Sequence, residues 1–354
     1  MATKTPKTPA KARAKSRKRA RTATAKKPSI TKASLPVPST MKAAALDKFG
    51  PPEVLTLHTL PIPKISPKEI LIAVHTAGVG IWDTEFRNGN YKDGTEKFPL
   101  VLGSDGAGIV VQVGKAVRRF KPGDEVWAYQ FGSKKGGFYA EYVAVNANNA
   151  IRPPQQLTPI EAGAGAVTGL TALQGVDDTL KLRKTETILV FGATGAVGSL
   201  AVQFAKRTGA HVVATASTPD AEHMLHELGI ADVLDPRAAD VSARLKAFVP
   251  NGLNAVLAFA GGEALERCID QVVEGGRVAY PNGVEPEPRK RPKVRMIPYD
   301  AKVGHEEFER LNRAVIESRL RVVIADKFRL EDAAKAHARL EQGHVVGRIV
   351  LQIV

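Results

Sequence analysis

The sequence predicts an α/β protein in which a doubly wound parallel sheet is joined to a β-rich second domain, behind a basic N-terminal tail. Three observations carry that expectation. One is the stretch Ile188 to Lys206, ILVFGATGAVGSLAVQFAK, where an apolar run meets three glycines and then an amphipathic segment. Another is the alternation of short apolar runs with helical patterns that follows it. The last is a composition that changes abruptly near residue 40.

In the first stretch, Ile188, Leu189, Val190 and Phe191 read as a buried strand, and Leu200, Val202, Phe204 and Ala205 as the apolar side of a helix. Gly192, Gly195 and Gly198 lie between and at the start of that helix. Their spacing is G-x-x-G-x-x-G rather than the commoner G-x-G-x-x-G, so the turn alone is a moderately specific signal. Glycines allow a tight turn, close approach of the backbone to a pyrophosphate, and close packing of helix on strand. The free amides and the positive end of the helix dipole then attract the phosphates. Thr194, Gly195, Ala196 and Val197 are the candidate pyrophosphate contacts. The competing reading is a purely structural glycine turn, which any α/β protein can carry.

The later elements favour the first reading. His211 to Ala216 (HVVATA) predicts a second strand, Ala221 to Leu228 a helix, and Ala231 to Leu234 a third strand. Asn254 to Phe259 and Val278 to Tyr280 supply a fourth and fifth, giving a Rossmann-type sheet. Where an NAD site uses an acidic residue on the ribose diol, this chain has Ala216, Ser217 and Thr218. No carboxylate there repels a 2′-phosphate and two hydroxyls can donate to one, although no Arg or Lys lies between His211 and Leu228. NADP(H) is the expected cofactor. Ser217 and Thr218 are expected at the adenosine ribose, with Gly262 and Asn282, near later strand ends, lining the nicotinamide side.

At 354 residues the chain is long for one domain, and 44% hydrophobic residues suffice for real cores. A single cysteine, Cys268, rules out an intramolecular disulfide and fits a reducing compartment, so a cytoplasmic location is expected. No apolar run is long enough to span a membrane. The small-residue stretch Ala162 to Leu173 is expected to lead from one domain into the other.

Twelve Lys or Arg and no acidic residue fall in residues 1–40, so the remainder carries only +3 of the net +15. Such a segment cannot bury a core and is expected to be disordered. The favoured reading is a solvated tail, or an extension upstream of a natural start at Met41. Non-specific nucleic-acid contact through counterion release is the next, without aromatics for base stacking. A mitochondrial presequence is the third, weakened by the lack of an apolar helix face.

Before the glycine turn come MKAAALDKFGPPE (Met41 to Glu53), EILIAVHT (Glu69 to Thr76) and AGVGIWDTEFRNGNY (Ala77 to Tyr91). FPLVLGSDGAGIVVQVG (Phe98 to Gly114), FKPGDEVWA (Phe120 to Ala128) and GGFYAEYVAV (Gly136 to Val145) follow. With the closing LEDAAKAHARLEQGHVVGRIVLQIV, these segments in this order resemble the medium-chain dehydrogenase/reductase superfamily. Within it they look like the zinc-independent quinone oxidoreductase branch, to which zeta-crystallin belongs. The resemblance covers Met41 to Val354. It implies a GroES-like substrate domain over 41–164, completed by 319–354, and a Rossmann NADP-binding domain over 165–318. The charged segment Glu285 to Lys293 reads as a surface loop, and a homodimer is the expected assembly.

Where zinc-dependent relatives place ligands, this chain has Gly80, Ser104 with Asp105, and Ala164, and one cysteine cannot build a four-thiolate site. No catalytic metal is expected. A site without one suits hydride transfer to a conjugated acceptor, which delocalises the incoming charge, while the developing oxyanion still needs hydrogen-bond donors. The resemblance puts Tyr91 in that role, since the branch has a tyrosine there that meets the nicotinamide end. Trp82 and Phe131 are candidate apolar walls. Relatives often carry Asn at the position of Gly80 and Tyr at that of Glu85, so two pocket side chains are missing. No dedicated acid is evident, and protonation is expected from solvent. His58, His75, His223, His226, His305, His337 and His344 are scattered. Only His223 and His226 share a helix face, as an expected surface pair. No G-x-S-x-G elbow is present.

The expected function is a zinc-independent, NADPH-dependent reductase of quinones or α,β-unsaturated carbonyls. The alternatives are an NADP-dependent alcohol or ketone oxidoreductase, and a nucleic-acid-associated protein acting through its tail.

Overall fold

The computed structural model describes residues 37–92 and 94–353. Nearly all of the tail expected over 1–40 lies outside the described residues, and Thr40 already opens the first strand. The strand-rich first part comprises β1 (Thr40–Leu46), β2 (Thr56–Pro61), β3 (Glu69–Val79), α1 (Ile81–Asn88), β4 (Leu100–Val101), β5 (Asp105–Val113), β6 (Glu125–Tyr129), β7 (Tyr142–Asn146) and β8 (Ala150–Ile151). Helix α2 (Pro159–Gln174) follows. The alternating part runs β9 (Thr187–Phe191), α3 (Gly198–Arg207), β10 (His211–Thr215), α4 (Pro219–Glu227), β11 (Asp232–Leu234), α5 (Val241–Phe248), β12 (Leu253–Ala258), α6 (Glu263–Ile269), β13 (Val272–Pro281), β14 (Arg295–Tyr299) and α7 (His305–Ser318). The chain closes with β15 (Ile324–Arg329), α8 (Ala333–Glu341) and β16 (Arg348–Gln352).

The alternating part forms a six-stranded parallel sheet of order β11-β10-β9-β12-β13-β14. The order reverses between β9 and β12, and open α/β sheets bind ligands outside the strand ends at such a switch point. In β9, Ile188 and Val190 pack into the core on one face, and Leu189 and Phe191 into a second core on the other. Burial on both faces explains why this strand reads as an unbroken apolar run. The sixth strand, β14, escapes the sequence reading. Its residues, RMIPY, contain Pro298, which only an edge strand tolerates.

The strand-rich part forms a seven-stranded sheet, β15-β16-β3-β5-β6-β8 with β7 on β3, and a smaller sheet β2-β1-β4. The last strand pairs antiparallel with β3, with Ile349 opposite Val79. Helix α2 packs against β3 and β5 and also against α3 and α7. The division expected between Ala164 and Gly165 therefore falls inside one continuous helix. Its N-cap, Thr158, accepts from the Glu161 amide while the Glu161 carboxylate accepts from the Thr158 amide, a reciprocal box that fixes where the helix begins.

Candidate active site

The three glycines of the β9–α3 turn are needed for three different reasons. Gly192 has φ +76°, in the left-handed region where a side chain is strained. A Cβ on Gly198 would lie 2.2 Å from the Gly192 carbonyl oxygen, so this position requires close packing. A Cβ on Gly195 would meet nothing nearer than 3.7 Å, so this glycine faces open space. Among the described residues, the amides of Thr194 and Val197 donate to no other part of the chain, and both residues are partly exposed, while Gly195 is bridged to Gly347. Open space before unpartnered amides at a helix N-terminus is a cradle for an anionic group. The Gly347 amide donates to the Thr194 carbonyl at 2.8 Å, which brings the start of β16 to the turn.

Arg348 follows Gly347 and points back into the strand-rich part. Its guanidinium donates to Asp105 Oδ1 at 2.8 Å and lies 4.9 Å from the centroid of the Trp82 ring. The other Asp105 oxygen accepts from the Val167 amide of α2. Beside them stands Asp83, in the first turn of α1. Its Oδ2 accepts from the Gly80 amide at 2.9 Å, and its Oδ1 from the Ser104 hydroxyl at 2.8 Å. Burial pushes the Asp83 carboxyl up to about 7, and the Asp105 charge adds to the rise against the pull of Arg348. Behind Asp83, Tyr139 donates to Oδ2 at 3.4 Å, and the Tyr139 oxygen is 3.0 Å from His337 Nε2. His337 Nδ1 is 3.1 Å from Arg87. Burial first, and then the Arg87 charge, lower this imidazole to about 3.

Asp83 and Ser104 lie in the wall of a cavity of about 600 Å³ between α1, the β4–β5 segment and residues 130–134. Its apolar side is an aromatic cluster. Phe131 meets Phe86 and Tyr91 edge-on, with centroids 5.6 Å apart in each pair. Burial, then Glu85 and Asp300, raise the pKa of the half-exposed Tyr91. Asp300 in turn accepts from the Asn282 amide at 2.7 Å, just beyond the end of β13.

Residues 66–155 match the family model described as alcohol dehydrogenase GroES-like domain, and residues 228–351 the one described as zinc-binding dehydrogenase. The mouse protein named quinone oxidoreductase is 30% identical, with 88% of this chain and 97% of that protein aligned. This chain belongs to the medium-chain dehydrogenase/reductase superfamily. The human protein named NAD(P)H oxidoreductase RTN4IP1, mitochondrial, is 28% identical over 93% of each chain. The bovine protein of that name is 36% identical, matched over 61% of its length. A solved structure described as mycobacterial Rv1454c complexed with NADPH matches with TM-score 0.78 and 27% identity, covering 88% of this chain and all of that one. The cytoplasmic location expected from cysteine usage is overturned. Relatives from four species carry a mitochondrial name, and one buried cysteine distinguishes only a reducing from an oxidising compartment.

Other sequence-derived sites of this superfamily member fall as follows. Ser217 lies just beyond the end of β10, while Thr218 caps α4, its hydroxyl oxygen accepting from Ala221. The Ser217 carbonyl accepts from Arg237, a residue beyond β11 that the sequence reading missed because it lies outside the β10–α4 segment. Gly262 precedes α6 with φ +109° and open space around it, and Asn282 is exposed. Phe131 lines the cavity, but Trp82 does not, being stacked under Arg348. The same indole explains Gly80: a Cβ there would lie 2.3 Å from the Trp82 ring. His223 and His226 face Glu227 and Glu222 on α4. Sequence reasoning also missed Phe86, Ser104 as a cavity residue, and His337, whose partners lie far away in the chain.

Proposed function

We propose that this chain is a zinc-independent, NADPH-dependent oxidoreductase that reduces quinones or α,β-unsaturated carbonyls. One observation carries the reading: an anion cradle at Gly195 is tied through Gly347 and Arg348 to a cavity with aromatic walls and buried hydroxyl and carboxyl groups. The names of the mouse and human relatives support oxidoreductase chemistry with a nicotinamide cofactor. When bound, that cofactor supplies the hydride.

The remaining work belongs to this chain. The turn Thr194, Gly195, Ala196 and Val197 would hold the pyrophosphate, with the free Thr194 and Val197 amides as its donors and Gly195 leaving it room, and Gly262 and Asn282 flank the nicotinamide side. Phe86, Tyr91 and Phe131 give a flat conjugated acceptor edge and face contacts, and Tyr91 offers its hydroxyl to the oxygen that gains charge. Ser217 and Thr218 meet the adenosine ribose, and Arg237 provides the cation for a 2′-phosphate. The Asp235 carboxylate accepts from the Arg237 amide and side chain, so it is turned towards its own loop.

Zinc independence rests on the donor atoms. The Asp105 oxygens are committed to Arg348 and Val167, and Ser104 to Asp83. Among the described residues, no three His, Cys, Asp or Glu groups converge. A screen of NADPH oxidation against quinones, alkenals and cyclic enones tests the proposal. Turnover with at least one conjugated class and none with saturated ketones is expected; turnover confined to saturated ketones or alcohols contradicts it.

A further inference from the structure

The hydrogen bonds around Asp83 fix where its proton sits. Arg87 can only donate, so His337 Nδ1 must accept from it. His337 is neutral, and its one hydrogen is therefore on Nε2 and is donated to the Tyr139 oxygen. The Tyr139 hydroxyl is then free to donate only onward, to Asp83 Oδ2, which also accepts from the Gly80 amide. Oδ2 is held as an acceptor from both sides. A proton on Asp83 must sit on Oδ1, the oxygen bonded to Ser104, and both residues lie in the cavity wall.

The charge balance favours that proton. One guanidinium, Arg348, serves two buried carboxyls, and it touches only Asp105. The pair Arg348–Asp105 is closed, and a second buried anion at Asp83 would face the Asp105 charge without a cation in contact. Tyr139 presents a neutral hydroxyl to the same group, and Tyr129, at the end of β6, feels the charges of Asp105 and Asp83 and is kept neutral by burial. With Oδ1 protonated, Ser104 accepts from it and turns its own hydrogen into the cavity.

We propose that Ser104 and Asp83 form a proton-delivering pair for the substrate, with Tyr139 and His337 as positioning residues that orient the acid. The proposal rests on reading the cavity as the place where a conjugated carbonyl is reduced. Hydride addition at the β-carbon of an enone brings two electrons and leaves a negative charge on the carbonyl oxygen. That oxygen takes the Ser104 hydroxyl proton to give the enol, and Oδ1–H of Asp83 replaces it on Ser104. Asp83 is left as the carboxylate, held by Gly80 and Tyr139. After product leaves, a solvent proton returns through Ser104. For a quinone the same proton converts the hydroquinone monoanion into the hydroquinone.

Two arms test the pair. Infrared difference spectra of the protein without cofactor, at pH 5.5 against pH 8.5, should show a protonated-carboxyl C=O band that disappears in Asp83→Asn and moves in Ser104→Ala. Absence of that difference overturns the proposal. The second arm compares native protein and Ser104→Ala with 2-cyclohexenone and with tetrachloro-1,4-benzoquinone, whose reduced monoanion needs no proton to be stable. A general acid contributes about 10²–10⁴-fold. Ser104→Ala should lose about 100-fold or more with the enone, and at least tenfold less than that with the quinone, at unchanged NADPH affinity. Equal losses on both overturn proton delivery alone. A native protein inactive on both acceptors overturns the functional reading and, with it, the delivery role.

Discussion

Arg348 and Asp105 are 243 residues apart in the chain, yet their side chains form an ion pair that is 2% and 0% exposed. It joins the last strand to the start of β5 directly behind the cavity wall. Charges in such a place must be matched, because an isolated buried ion costs far more than the pair.

Removing one partner should therefore be severe. Arg348→Ala leaves Asp105 beside Asp83 with no cation, and a loss of about 3–5 kcal/mol is expected. The double variant Arg348→Met with Asp105→Leu should recover most of it. Urea unfolding of both proteins measures the difference. A loss below about 1 kcal/mol in the single variant would contradict the buried pair.

Cofactor choice should depend on Arg237 and Ala216. Arg237→Ala is expected to weaken NADPH by roughly 10- to 100-fold while changing NADH little, since one charge-assisted contact contributes roughly 1.5–3 kcal/mol. Ala216→Asp should reverse the order, because a carboxylate repels a 2′-phosphate and accepts from ribose hydroxyls. Fluorescence titration with both nucleotides decides it. Equal affinities in the native protein would sink the preference.

Turnover should not depend on zinc. Elemental analysis is expected to find well under one metal ion per chain, and chelators should leave the rate unchanged. Stoichiometric zinc, with activity lost on its removal, would overturn the mechanism.

The glycine turn and the parallel strands were legible in the sequence because their causes are local. A strand buried on both faces must be apolar throughout, and a turn that meets phosphate must lack side chains. The walls of the cavity were not legible in this way. His337 looked like one of several scattered histidines, because its contacts to Tyr139 and Arg87 span 198 and 250 residues. Trp82 looked like a pocket wall, and only its stacking under Arg348 reveals otherwise. Arg237 is hidden for a similar reason: it lies outside His211 to Leu228, in the loop that follows the neighbouring strand β11.

The unusual acid at Asp83 makes a prediction about stability and pH. Its folded pKa of about 7 lies above the unfolded value of 3.8, so the folded state holds the proton longer. The stability this group contributes is complete below pH 3.8 and is lost as pH rises through 7. Native protein should lose roughly 2–3 kcal/mol relative to Asp83→Asn between pH 5 and pH 8. His337 acts in the opposite direction, with stability lost as pH falls from about 6.5 towards 3, but it is common to both proteins. Parallel denaturation curves across that range would show that Asp83 is an ordinary ionised carboxylate.

The most direct test of the account is NADPH binding by Gly195→Val, read beside the circular dichroism of the same protein. The space around Gly195 is open, so valine should leave the fold intact while projecting into the path of the pyrophosphate. Gly198→Ala serves as the contrast, since its Cβ would strike the Gly192 carbonyl and destabilise the domain. The account predicts native secondary structure in Gly195→Val with no measurable NADPH binding. Binding within a few-fold of native would mean that the turn is only structural, and the cofactor assignment would fall.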